Sequence, residues 1–258
     1  MDGSSVPTIG QKVVCVIPAR LASTRLPEKI LRPLGSASML EWVWRRAKNC
    51  PLFDEVCIAL DDEKTAALVE GFGGRYVMTS KSCQSGTERL IEVMHKQHVD
   101  GDIWVNWQAD EPFIHTLHIE ELLTNKEDME VDVWTLKTPC LSQEDFLSPH
   151  AVKVVCDKAD KALYFSRAPI PYNCPVEKAF IHVGLYAYRK HTLEKLGDVE
   201  PSMLQLEEQL EQLTFLYEGY TIQVATIAEA PLGVNTPEDL ARAEEYVANM
   251  GLTPYASI

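Results

Sequence analysis

Val13-Val14-Cys15-Val16-Ile17 runs without a break into Pro18-Ala19-Arg20-Leu21-Ala22-Ser23-Thr24-Arg25-Leu26-Pro27-Glu28-Lys29. Five consecutive apolar residues bounded by proline read as a short strand covered on both faces, the kind found in a parallel sheet. The loop that follows places Arg20, Arg25 and Lys29 close to the hydroxyls of Ser23 and Thr24. Arginine offers a planar fork of donors to phosphate oxygens, and lysine a mobile point charge. Such a loop, set directly behind the first strand, points to a bound phosphate group, although a solvated loop would carry the same charges. The sequence contains no Walker loop and no GxGxxG, so a P-loop or dinucleotide site is not the reading.

Moving outward, helical periodicity spans Met39 to Lys48, and a second strand spans Val56 to Leu60 and ends in Asp61-Asp62. A helix from Glu63 to Glu70 stops at Gly71, Gly73 and Gly74. Arg75 to Met78 reads as a third strand, Gly86 to Gln97 as a helix, and Ile103 to Trp107 as a fourth strand ending in Gln108-Ala109-Asp110-Glu111-Pro112. This alternation predicts βαβ units, a parallel sheet and right-handed crossovers. Ligands in such sheets bind beyond the carboxyl ends of the strands, which singles out residues 18–29, 61–62 with 79–87, and 108–112.

The second half is less regular. Strands are predicted over Val152 to Cys156, Ala162 to Phe165, His182 to Tyr188 and Thr221 to Ala225. One helix is predicted over Leu204 to Tyr217, and another over Pro237 to Met250 with Thr236 as its N-cap. The expected organisation is a polar tail over 1–12, a single domain over 13–250 with a partly antiparallel lobe at about 140–220, and a tail over 251–258.

The net charge of −14 in 258 residues argues against a nucleic-acid partner, whose phosphates need a basic surface. It leaves room for a small phosphate ligand, provided the chain supplies a local cation cluster or a metal. No apolar run approaches the roughly 18 residues of a membrane span, and Met1 to Lys12 holds no apolar leader core. Seven cysteines without a CxxC pair read as reduced thiols of a cytoplasmic protein.

Asp110, at the end of the fourth strand, can hold Mg²⁺ through one oxygen while triphosphate and water complete the octahedron; it could equally cap the helix expected after Pro112. His95 with His98, and His115 with His118, have a spacing that metal sites use but lack a carboxylate to complete one. Lys153, Arg167, His182 and Tyr186 are polar residues in apolar strand-like stretches, suited to an anionic, hydroxyl-rich ligand or to a sheet edge. Glu211 and Gln212 sit on the polar face of the helix predicted over 204–217.

Together these residues resemble the 3-deoxy-manno-octulosonate cytidylyltransferases, the CMP-Kdo synthetases. The match extends from Val13 to about Tyr246. It is carried by Pro18-Ala19-Arg20-x-Ala22-Ser23-Thr24-Arg25-Leu26-Pro27-x-Lys29, Gln84-Ser85-Gly86-Thr87-Glu88-Arg89 and Ala151-Val152-Lys153-Val154-Val155. Tyr164-Phe165-Ser166-Arg167, Leu210-Glu211-Gln212-Leu213 and Thr236-Pro237-Glu238-Asp239-Leu240 add to it. The resemblance implies an α/β, Rossmann-like nucleotide-diphospho-sugar transferase fold with a mostly parallel sheet and a smaller substrate and dimerisation lobe. It further implies a homodimer using CTP, Mg²⁺ and the acidic sugar Kdo, with no membrane and no nucleic acid involved.

By matching positions, Arg20, Lys29 and Asp110 would be catalytic. Arg20, Ser23, Arg25, Lys29, Gln84, Ser85 and Gly86 would bind the nucleotide, Asp110 and Asn235 the metal. Gln108, Lys153, Arg167, His182, Tyr186, Glu211 and Gln212 would hold the sugar. Three positions depart from the family pattern: Glu28 and Ala109 stand where it has glycine, and Asn235 where it has a metal-ligand aspartate. An amide oxygen can ligate Mg²⁺ but brings no charge. The competing expectations are activation of another ulosonic acid such as 8-amino-Kdo, a nucleotide-binding homologue with little activity, and a glycosyltransferase using a finished sugar nucleotide. The last would need no triphosphate cradle.

Overall fold

The computed structural model describes residues 10–23, 26–96 and 99–255. The elements in chain order begin with β1 (Val13–Ala19), β2 (Pro33–Leu34), β3 (Ala37–Ser38), α1 (Met39–Asn49), β4 (Glu55–Leu60), α2 (Glu63–Gly71), β5 (Tyr76–Met78), α3 (Gly86–His95) and β6 (Ile103–Asn106). Next come α4 (Thr116–Leu122), β7 (Val133–Pro139), α5 (Gln143–Leu147), β8 (Lys153–Cys156), β9 (Ala162–Ser166) and β10 (Phe180–Arg189). The chain closes with α6 (Lys190–Leu196), α7 (Met203–Glu208), α8 (Gln212–Tyr217), β11 (Ile222–Thr226) and α9 (Pro237–Met250).

The main sheet has the order β11-β7-β10-β6-β1-β4-β5, with β8 and β9 joined to the edge of β10. β1 pairs in parallel with β4 and β6, β4 with β5, and β11 with β7. β10 runs antiparallel to β6, β7 and β8. The fold is α/β with a mostly parallel sheet and a smaller antiparallel part, as expected.

β1 shows why its run is apolar throughout. Val13, Cys15, Ile17 and Ala19 face one core layer, shared with α1, α2 and α4. Val14 and Val16 face the other, shared with α3, α6 and α8. A strand covered on both sides has no polar face to show. A third apolar group packs α9 against α1 through Trp42, Phe113, Val234, Ala243 and Val247. This fixes the segment before α9, including Asn235, beside the end of β6.

Side-chain caps set the helix starts that matter for the site. Ser85 accepts from the Glu88 N–H at α3, and Thr236 with Asp239 forms a reciprocal capping box at α9 with Pro237 in the first turn.

The helix predicted over 204–217 is instead two helices. Gln209 takes a left-handed conformation at φ 53° and closes α7. The Arg167 guanidinium holds the Glu208 and Gln209 carbonyls at 2.8 and 3.2 Å, capping α7, and the chain turns before α8 begins. Among the described residues, no helix is long and apolar enough to cross a membrane.

Candidate active site

Parallel pairing of β1 with β4 and β6 brings the loops after these strands to one edge of the sheet. They enclose a cleft of about 240 Å³ lined by Arg20, Ser23 and Lys29, by Gln84, Ser85 and Gly86 at the start of α3, and by Gln108 and Asp110 behind β6. The structure therefore gathers every described residue expected to meet the nucleotide. Arg25 lies outside the described residues, as do Thr24 and His98.

Lys29 is buried, and its ammonium donates to Asp110 Oδ2 at 2.5 Å and to Asn235 Oδ1 at 3.4 Å. The Val234 N–H donates to the Asp110 carbonyl at 2.9 Å, tying the two oxygen-bearing residues into one local unit. Asp110 does not cap a helix, because α4 starts later with His115 at its N-cap. Asp110 and Asn235 thus aim two hard oxygens at one cation, a donor set that fits Mg²⁺ when nucleotide phosphates supply further ligands. Among the described residues no group of three His, Cys, Asp or Glu side chains could hold a metal by itself. Burial, with Asp110 beside it, pushes the Glu111 carboxyl up to about 8, and Glu111 Oε2 is buried with no hydrogen-bond partner.

Two functional positions were missed from the sequence. Asp61 and Arg89 form an ion pair of 2.7 Å with side chains only 9% and 3% exposed. The other Asp61 oxygen accepts from the Leu21 N–H at 3.0 Å, while Arg89 also donates to Thr79 Oγ1 and the Ser80 carbonyl. One buried pair therefore pins the cation-bearing loop to α3 and to the loop after β5. The signal was present: Asp61 ends the second strand, and Arg89 closes the Gln84–Arg89 motif.

Gly86 serves through its size. A Cβ there would lie 2.7 Å from Gln108 Nε2 and 2.9 Å from Asn106 Nδ2. Gln108 donates to Asn106 Oδ1 at 2.7 Å. Beneath the cleft, Glu211 accepts from Ser85 Oγ at 2.8 Å and Thr87 Oγ1 at 2.9 Å, and Thr87 meets the Tyr188 hydroxyl at 3.1 Å. Burial raises the Glu211 pKa, and the Ser85 and Thr87 bonds counter it.

Of the residues expected to hold a sugar, Gln108 lines the cleft, and Glu211 is bonded to its wall through Ser85. His182 and Tyr186 lie on β10 with ring centroids 5.4 Å apart, and His182 Nε2 is 2.9 Å from Thr135 Oγ1. Burial drops the His182 pKa to about 3, so the imidazole is neutral, and burial raises that of Tyr186 well above its ordinary value. Gln212 is buried at the start of α8.

Lys153 and Arg167 are not brought to the cleft wall. The Lys153 ammonium is fully buried and donates to the carbonyls of Ser148, Ala151 and Arg167, using all three of its N–H groups. Arg167 Nε, Nη1 and Nη2 donate to the carbonyls of Glu208, Pro149 and Gln209. Both residues shape the lobe that carries Glu211 through the backbone carbonyls they hold. His115 and His118 likewise serve locally: His118 Nδ1 accepts from the His115 N–H at 3.2 Å.

Comparison with known proteins says which family this cleft of cations and oxygen donors belongs to. The family model described as Cytidylyltransferase matches residues 14–223. The 3-deoxy-manno-octulosonate cytidylyltransferase of Koribacter versatilis is 44% identical over 237 residues, covering 91% of this chain and 89% of that protein. The one from Acaryochloris marina is 40% identical over 247 residues, covering 93% and 99%. A solved structure of CMP:2-keto-3-deoxy-manno-octonic acid synthetase complexed with CTP is 40% identical with a TM-score of 0.88, covering 93% of this chain and 99% of that one. A cytidylyltransferase from Leptospira borgpetersenii, at 18% identity and a TM-score of 0.62, shares the fold alone. With its cation loop, its Asp110 and its Gln84–Arg89 motif all at one cleft, this chain belongs to the 3-deoxy-manno-octulosonate cytidylyltransferase family.

Proposed function

We propose that this chain transfers CMP from CTP to the anomeric hydroxyl of 3-deoxy-D-manno-octulosonate, yielding CMP-Kdo and pyrophosphate for lipopolysaccharide assembly. The observation that carries the reading is the convergence of Lys29, Asp110 and Asn235 beside Arg20, Ser23 and Gln84 in one cleft. In the reaction the sugar hydroxyl oxygen bonds to the α-phosphorus and gives up its proton to solvent, while the α–β bridging P–O bond breaks and its electron pair leaves with pyrophosphate.

Arg20 and Lys29 would hold the triphosphate and balance the charge that grows on the departing oxygen. Gln84, Ser85 and Gly86 would seat the cytosine at the start of α3. Asp110 and Asn235 would hold Mg²⁺, which supplies charge neutralisation at the phosphates when bound. Gln108, His182, Tyr186, Glu211 and Gln212 would surround the sugar. Arg167, with three of its five N–H groups on carbonyls, would turn the others to the sugar carboxylate. Lys153 would act through the backbone it holds. No covalent intermediate is needed, so catalysis rests on positioning and charge.

A cytoplasmic homodimer completes the proposal. Seven thiols free of disulfides suit a reducing compartment. Leu163 on β9, with Met203 and Leu206 on α7, gives a second copy exposed apolar surface to cover.

The test incubates the purified chain with CTP, Mg²⁺ and one acid at a time: Kdo, 8-amino-Kdo or a nine-carbon ulosonic acid. CMP-Kdo identified by mass, with one pyrophosphate per product, is the expected result. A product formed only from another acid would move the substrate assignment. No product from any acid, with CTP still raising the melting temperature, would leave a nucleotide-binding homologue.

A further inference from the structure

Among the described strands β10 runs antiparallel to its neighbours β6 and β7, and its ladders on both edges are interrupted midway. On one edge its ladder with β6 ends at Tyr186 opposite Asn106, and β8 takes up the same edge only at Ile181 opposite Lys153. On the other edge the register with β7 slips between Val183 and Ala187. Thr135 Oγ1 sits in this slip, 3.2 Å from the Val183 carbonyl and 2.9 Å from that of Leu185. Gly184 lies in the middle of the break.

Gly184 is exposed, although Leu185, Ala187, Tyr188 and Arg189 in the same strand are buried. A Cβ added to Gly184 would meet nothing within 4 Å, and its φ lies outside the left-handed range. Crowding by the described residues does not call for glycine here, and neither does its φ. Glycine nevertheless weakens a strand through its backbone entropy and supplies no side chain to pack. A glycine inside a strand marks a bulge, a bend or a close approach by a ligand; the register slip with β7 is the first of these, and the open space over Gly184 leaves room for the last.

The neighbours say what that is. Gly184 stands between His182 and Tyr186, whose rings flank the break. Extending the β10–β6 register by two residues from Tyr186 opposite Asn106 would bring Gly184 level with Gln108, a wall of the nucleotide cleft. By that register the space above Gly184 lies toward Gln108, bordered by a neutral imidazole, a phenol and an amide. Those groups suit hydroxyls.

We propose that Gly184 sets acceptor specificity: its missing side chain lets the polyhydroxylated sugar acid lie against the β10 backbone. This inference rests on the synthetase reading and adds to it a residue that discriminates acceptors while leaving the nucleotide untouched.

Gly184→Ala and Gly184→Val test it. Each should keep the melting temperature of the wild type, with alanine at or above it, and each should keep the melting shift produced by CTP. The KM for Kdo should rise about tenfold in the alanine variant and further in the valine variant, while the KM for CTP stays within about twofold. An unchanged KM for Kdo in both variants would overturn the steric role, as would equal rises in the two KM values. Should the valine variant fail to fold, the alanine variant decides alone. A wild-type chain that binds CTP and never turns over Kdo would defeat the synthetase reading, and this inference with it. Turnover by the wild type with unaffected variants would defeat the inference only.

Discussion

Glu28 occupies the left-handed region at φ 51°, immediately before Lys29. A side chain there costs about 1 kcal/mol or more, which glycine avoids. Its carboxylate turns to Lys64. Both oxygens bond to Lys64 Nζ, at 2.6 and 2.7 Å, on a pair whose side chains are about half exposed (57% and 48%). An exposed pair of this kind contributes at most about 1 kcal/mol, so it roughly offsets the backbone strain. Glu28→Gly is expected to keep or raise stability by up to about 1 kcal/mol and to leave the KM for CTP within about twofold. Urea melts and steady-state kinetics measure both. A large rise in that KM would show that Glu28 faces the nucleotide after all.

His118 offers a pH test at the same scale. Burial, with His115 beside it, lowers its pKa from 6.5 to about 4. The unfolded chain thus takes up the proton more readily than the folded one. Stability is full above pH 6.5 and falls as pH drops from 6.5 toward 4, and His182, lowered to about 3, acts in the same direction. Protonating His118 Nδ1 also removes the acceptor for the His115 N–H at the start of α4. His118→Gln should flatten the decline in melting temperature over this window. An identical slope in wild type and variant would contradict the assignment.

Among the elements, the loop after β1 depends on partners far away in sequence. Asp61 behind β4 and Arg89 on α3 hold it through the Leu21 N–H. Removing one member of a buried pair leaves the other charge uncompensated, typically at about 3–5 kcal/mol. Asp61→Ala should therefore lower stability by that order in urea unfolding and raise the KM for CTP. Loss of less than about 1 kcal/mol would mean the pair is not holding the loop.

The strand–helix alternation was legible because both-face burial and cap residues are written locally: Val13 to Ile17 and the N-cap Thr236 each appear where they were expected. The break at Gln209 was not legible, because what ends α7 is Arg167, 42 residues away in sequence. The roles of Lys153 and Arg167 were obscured for the same reason. A cation in a strand reads alike whether its donors face a ligand or backbone carbonyls.

At the level of the whole molecule, parallel strands deliver the cation loop, the start of α3 and Asp110 to one edge, and α9 brings Asn235 to the same point. Strand order was not readable from the residues, because β10 enters between β6 and β7 from late in the chain.

Coupling of CTP to Kdo in this cleft, through charges gathered on Lys29, Asp110 and Asn235, makes pyrophosphate release depend on each component. The most direct measurement is the initial rate of pyrophosphate release by wild type and Asp110→Ala, with CTP, Kdo and Mg²⁺ each omitted in turn. Release should require all three components and fall at least about a hundredfold in the variant, a loss of ~2.7 kcal/mol in transition-state stabilisation. Release that persists in Asp110→Ala, or that proceeds without Kdo, would contradict it.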